Sequence, residues 1–263
     1  MRRGNLFWGV LLILFGGLLF LQTMGFLQNI NVWGLLWPVF LILLGIWILA
    51  SRHLRRSAPG EHITVPLQDA ARAKVRLNHG AGRLKIGAAA ESGYLLEGDC
   101  NGGVNVQTQR RGDLLDVELS VPTQSVPFLG DAAYSLDWNL NFNSQIPLNM
   151  ELNTGAQESQ VDLSSLKVTE IHLQTGASAT ELILPANAGF TRLSVETGAA
   201  SVNVRIPENV AASIRSQSGL ASVIVNEARF PRSGSINQSP DYETSANKVE
   251  ISIQVGVGSV EVR

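Results

Sequence analysis

The chain has one cysteine, Cys100, in 263 residues. It can form no internal disulfide and offers no thiolate cluster to a metal. A lone cysteine of this kind is ordinarily a small buried hydrophobe. Charge of either sign is scarce, at 16% of residues, and nearly cancels to a formal −2. Without a basic excess there is no footprint for nucleic acid, which binds largely through counterion release. The four histidines, His53, His62, His79 and His172, stand far apart without a ligand spacing such as HExxH. No GxSxG, P-loop or CxxC occurs, and "GAGRLKIG" at 80–87 lacks the further glycine, strand and helix of a dinucleotide loop. These gaps argue against an enzyme and predict neither a cofactor nor a metal.

Long apolar runs, by contrast, are present twice. Residues 5–27 and 32–50 contain no charged side chain. Each is long enough to span a bilayer as a helix, which takes roughly 20 apolar residues. Two full spans back to back do not match a cleaved signal peptide, which has one shorter run. Internal Gly residues and Pro38 are tolerated in lipid, and Trp8, Trp33, Trp37 and Trp47 are partly placed for the interfaces. Residues 1–56 are therefore read as a transmembrane helical hairpin. Arg2 and Arg3 precede it, Arg52, Arg55 and Arg56 follow it, and the connecting "QNIN" carries no Lys or Arg. The positive-inside tendency places both flanks, and everything after residue 56, in the cytoplasm. Nothing polar lies at mid-span, which disfavours a transport pathway.

The remainder is a run of short apolar alternations. "LQTGASATELILP" at 173–185 is followed 22 residues later by "VETGAASVNVRIP". Six segments share the pattern, anchored by Gly80, Gly155, Gly176, Gly198, Gly219 and Gly256. Five places before each glycine stand Val75, Met150, Ile171, Leu193, Ile214 and Ile251; six places after stand Ile86, Val161, Leu182, Val204, Val225 and Val262. Period-two alternation on each side predicts half-buried strands. The apolar set three before and the set four after are seven residues apart, an odd step that would face opposite ways along a straight strand. The chain must bend at the glycine, where positive φ is the expected device. Pro185 and Pro207 then close the second strand.

A unit of about 21 residues with two short strands cannot bury its own apolar face, but stacked copies can. Residues 148–263 are read as a β-solenoid, or β-helix-like stack, with a loop insertion at 226–247. Residues 57–147 are read as a strand-rich cap containing the first coil, with strand candidates "YLLEG", "GVNVQTQ", "DLLDVELSV" and "WNLNFN". The fold class is thus a transmembrane hairpin followed by an all-β domain. Asp162, Glu181, Asn203 and Glu261 fall at nearby places in successive coils, but these positions alternate with Asn, Arg and Ile, not with the converging carboxylates of a glycosidase. The repeated letters are those of turns and a core.

The hairpin "FWGVLLILFGGLLFL…WGLLWPVFLILLGIWIL", with its WG/WP pairs and following LILxG, resembles the transmembrane module of the LiaI and LiaF families of bacterial envelope-stress proteins. The rest, through its "TGA" turns, "WNLNFNSQIPLNMELNTGA" and "YETSANKVEISIQVGVGSVEVR", resembles the toast-rack, LiaF C-terminal and adhesin-like (DUF4097-like) β-repeat domains. The resemblance implies a protein of the bacterial cytoplasmic membrane that senses envelope damage. It implies protein partners, such as a two-component histidine kinase or phage-shock-type components, and brings no catalytic residues. An exported adhesin or glycan binder is the alternative, and a self-associating scaffold joined through the last strand, "SVEV", is a third. A reporter fused after Arg263 is expected to be active only on the cytoplasmic side; an extracellular signal would reverse the assigned orientation.

Overall fold

The computed structural model describes residues 60–91, 93–122 and 136–263. The two expected spans and Arg2, Arg3, Arg52, Arg55 and Arg56 lie outside them. The described residues are all β, in one 14-stranded sheet. In chain order the strands are β1 (Gly60–Pro66), β2 (Arg72–Ala88), β3 (Tyr94–Asn101), β4 (Asn105–Arg111), β5 (Leu114–Ser120), β6 (Asp137–Phe142) and β7 (Pro147–Asp162). There follow β8 (Lys167–Thr175), β9 (Ala179–Ile183), β10 (Phe190–Arg205), β11 (Ala211–Val225), β12 (Arg232–Ser233), β13 (Ile236–Gln238) and β14 (Lys248–Val262). The four candidate strands of the 57–147 segment coincide with β3 to β6. Alternation does not single out β1, because only Ile63 and Val65 point inward along it.

Six coils stack in parallel and in register. β2 pairs with β7, β7 with β8 and β9, these with β10, β10 with β14, and β14 with β11. The register superposes the repeated columns: Leu193 lies beside Ile171 and Ile251, and Val204 beside Leu182 and Val262. Beyond β2 the stack divides. β5 pairs with the first half of β2 and carries β4, while β6 pairs with the second half and carries β3 and β1.

The parity argument is visible in β10. Thr191, Leu193, Val195 and Thr197 are buried, then Ala200, Val202 and Val204, so the inward set changes parity across Gly198 and Ala199. The strand bends there and keeps aliphatic side chains inside on both arms. Burying each such side chain is worth about 1.5–3 kcal/mol.

Two expectations are corrected. The anchor glycines do not take positive φ; that conformation occurs two residues later, at Gly82 and Gly258, in only two of the coils. The glycines answer instead to close approach between coils. A Cβ on Gly155 would lie 2.2 Å from the Gly80 carbonyl oxygen, and one on Gly256 would lie 2.9 Å from that of Gly198. The second correction concerns chain order. β14 is not at the edge but inserts between β10 and β11, with Val260 beside both Val202 and Val223. Core quality explains the choice. The inward residues of β14, Val249, Ile251, Ile253, Val255, Val260 and Val262, are all buried, whereas β11 has exposed Ser216 at the place of Ile253. The better core former takes the interior position and the poorer one the end.

The spacing of the corner sets a graded prediction. In Gly155→Ala the added methyl meets a backbone oxygen at 2.2 Å, while in Gly176→Ala it meets that of Gly155 at 3.3 Å. Gly155→Ala is expected to lower stability by about 1–3 kcal/mol or more, the range of overpacking, and Gly176→Ala by clearly less. Urea denaturation of the detergent-solubilised chain measures the difference; equal midpoints would contradict the close-approach account.

Candidate functional site

The glycine column forms the floor of a groove that crosses the coils. Two places before each glycine stand Asn78, Asn153, Gln174, Glu196, Gln217 and Gln254. One place before stand His79, Thr154, Thr175, Thr197, Ser218 and Val255. The register brings like to like. Asn78 lies beside Asn153, Asn153 beside Gln174, Gln174 beside Glu196, Glu196 beside Gln254, and Gln254 beside Gln217. These residues, the glycines, and Ser120 and Val121 line a space of about 1010 Å³.

The rim is a ladder of amides. Asn153 Nδ2 donates to Asn78 Oδ1 at 2.9 Å, and Gln174 Nε2 donates to Glu196 Oε2 at 3.1 Å. Asn78 Nδ2 donates in turn to Glu118 Oε1 at 3.0 Å. Adjacent coils lie one strand spacing apart, about 4.8 Å, so donors and acceptors repeat along the groove at that interval. Thr154, Thr175 and Thr197 are buried beside the floor. At the β2 end the hydroxyl row gives way to His79, whose ring packs edge-on against Trp138, centroids 4.8 Å apart. The sequence carries this ladder plainly as NHG, NTG, QTG, ETG, QSG and QVG. Attention to the apolar columns alone passes over it.

Residues 55–205 match the family profile of the N-terminal domain of toast_rack, DUF2154, which is more than half of the chain. The chain belongs to the toast-rack family. In this toast-rack protein residues 7–65 also match the LiaF transmembrane domain, which makes it a membrane protein. A solved structure designated a candidate cell adhesion protein from Clostridium sporogenes ATCC 15579 is similar at 24% identity and a TM-score of 0.70. The match covers 77% of this chain and 97% of that one. That likeness concerns the fold. A candidate adhesin from Parabacteroides distasonis ATCC 8503 aligns over 78% of this chain and 98% of its own at 10% identity, but with a TM-score of 0.24 it carries no argument. Comparison with curated proteins finds no match.

The toast-rack coils do not gather the acids into one cleft. Asn203 lies beside Glu181 and Glu261, but Asp162 lies beside Ile183, one inward-outward pair further along; Gln160 holds the place beside Glu181. Glu181 pairs with Arg205 at 3.3 Å and Glu261 with Arg263 at 2.7 Å. Among the described residues no group of three or more His, Cys, Asp or Glu could hold a metal. His62 faces Asp99 at 2.9 Å on the surface, and His172 is 4.0 Å from Glu196; His53 lies outside the described residues. Cys100 is buried and its thiol is pushed up to about 12 by burial, with Glu61 and Asp99 adding to the effect. It is an inert thiol, since thiolate is the reactive form.

Beside the amide ladder runs a charge ladder. Arg76 bonds Glu118 at 3.1 Å on one side and Glu151 at 3.3 Å on the other. Burial pushes the Glu151 carboxyl up, but hydrogen bonds from Asn153 and Arg76, with the nearby charges of Arg76 and Lys74, outweigh it and hold its pKa below the ordinary 4.5. A carboxylate depressed in the folded state stabilises above its unfolded pKa, and that stability is lost as pH falls through the folded value. Glu151→Gln is therefore expected to flatten the loss of stability on acidification below about pH 4.5 relative to the unsubstituted chain. Thermal melts across that range measure it; an unchanged acid slope would remove Glu151 from the account.

Proposed function

We propose that this toast-rack chain is a membrane-held, non-enzymatic binding module of the bacterial cell-envelope stress response. It restrains a signalling partner, such as a two-component histidine kinase or a phage-shock-type component, by seating an extended segment of that partner in the glycine-floored groove. The orientation that goes with this reading places the β-domain in the cytoplasm, on the strength of the arginines flanking both spans.

The groove carries the proposal. Its lining repeats donor-acceptor side chains coil after coil over a floor without Cβ atoms, so an extended backbone can approach closely and find a partner at each step. Glu196 is the one charged side chain in its amide row. The groove therefore asks for hydrogen-bonding shape more than for a counter-charge. The exported, glycan-binding alternative draws on the designation of the structural neighbour. It finds less support in the lining, which among the described residues holds no Trp, Tyr or Phe.

A photo-crosslinking residue at Gln174 in the full chain, activated in membranes, is expected to capture one dominant protein bearing histidine kinase or phage-shock features. The same residue at Ser201, on the outer face of the other arm, serves as the control. Equal capture at both positions would defeat the groove as the binding site.

A further inference from the structure

The two ends of the stack are finished differently. At the β2 end, β5 and β6 continue the two arms into antiparallel sheets. At the other end β11 is covered only at Ser213–Arg215, by β13. From Ser216 to Val225 no strand among the described residues pairs with its outer edge. The side chains match that nakedness. Leu220 is 88% exposed, Ile224 57%, and Val257, beside Leu220 on β14, 52%. Ala221, Val223 and Val225 point toward the core but are only half-buried, whereas Val260 and Val262 beside them are fully buried.

Edge strands are normally blunted by charge, proline or shortness. The other free edges obey this. β4 ends in Arg110 and Arg111, β1 carries Glu61 and Pro66, and β12 has two residues, one of them Arg232. β11 alone departs from it, since "SQSGLASVIV" over 216–225 contains no charge and no proline.

We infer that Leu220–Ile224 is a homodimer interface, at which two copies of this chain pair antiparallel with Ser222 opposite Ser222 of the second copy. The occupant follows from self-complementarity. In that register Leu220 faces Ile224 of the second copy on the outer side, and Ala221 faces Val223 of the second copy on the inner side. Each contact occurs twice by symmetry, which is the isologous form of a two-fold interface. Apolar cross-strand pairs of this kind stabilise a sheet, and the pairing satisfies open backbone groups of both edges around Ser222. An unlike partner bearing charge along its strand would find no counter-charge here. The interface takes only Leu220–Ile224 of β11, whereas the groove takes Gln217, Ser218 and Gly219, so the two stand or fall independently.

The test uses the full chain in its membrane with Ser222→Cys, since buried Cys100 is silent to mild oxidant. A disulfide-linked dimer is expected, with little from Ser201→Cys, which holds the corresponding outward place on β10. Adding Leu220→Lys and Ile224→Lys to the Ser222→Cys chain should cut the dimer by about tenfold or more, because exposed like charges then meet across the edge. Both side chains are exposed, so the fold is not at stake. The inference is overturned if Ser222→Cys crosslinks no better than Ser201→Cys, if the dimer survives the two lysines, or if position 222 crosslinks only to a different protein.

Discussion

The architecture depends on backbone meeting backbone at one corner. Where the coils bend, their backbones run close together, too close for a Cβ at Gly155 and Gly256 and tight for one at Gly176, Gly198 and Gly219. At Gly155, Gly176, Gly198, Gly256 and Gly219 the missing side chain would meet a carbonyl of the neighbouring coil. Because all six corners stack, the apolar columns on either side stack as well, and six separate bends share one core. The arms of any single coil could not bury their inward aliphatics alone; the stack buries them to within a few per cent everywhere but the second arm of β11. The groove is the outer consequence of the same constraint. Glycine at every corner leaves a trough, and whatever stands two residues before it becomes a rim.

That constraint also decides what kind of site the fold can make. A position repeated through a parallel, in-register stack brings similar side chains together at one strand spacing. Like charges in such a column would repel, and the chain avoids this by alternating them. Glu118, Arg76 and Glu151 form one run, and Arg192 stands beside Glu250 at 3.6 Å in another. Amides, which are donor and acceptor at once, can repeat without penalty, and they occupy the groove rim. Carboxylates consumed by neighbouring arginines do not acquire the raised pKa of a general acid. On the proposed reading, the ladder of amides and the ladder of ion pairs serve as surfaces for recognition.

Much of this was legible in the letters. The columns through Val75 and Ile86 foretell which residues are buried, and the odd step across each glycine foretells a bend. The reason for glycine was not legible, because positive φ and close approach call for the same residue. Only the stacking distance separates them: Gly82 and Gly258 meet the first need, Gly155 and Gly256 the second. The order of the coils was hidden for a similar reason. Every coil presents the same register to every other, so local pattern permits any sequence of stacking. The choice falls to inward residues such as Ser216 against Ile253. The amide row was written in the sequence but is recognisable as a row only once the coils are superposed.

The placement of β14 ties the end of the stack to the end of the chain. β11 has no pairing with β10; it is joined to the stack through β14, and otherwise pairs only with the short β13. Residues 211–225 therefore wait for residues 248–262 before their arm has a neighbour. Between them lies the 226–247 segment, pinned by Arg229, which donates to the carbonyls of Ile206, Pro207 and Val210 while its guanidinium lies over the Phe230 ring. Phe230 is buried beneath it. Non-local pairings of this kind are slow to form, because loop closure must precede any gain in contact. The repeat architecture thus ends on a non-local step, and residues 248–262 turn two separated edges into one continuous sheet.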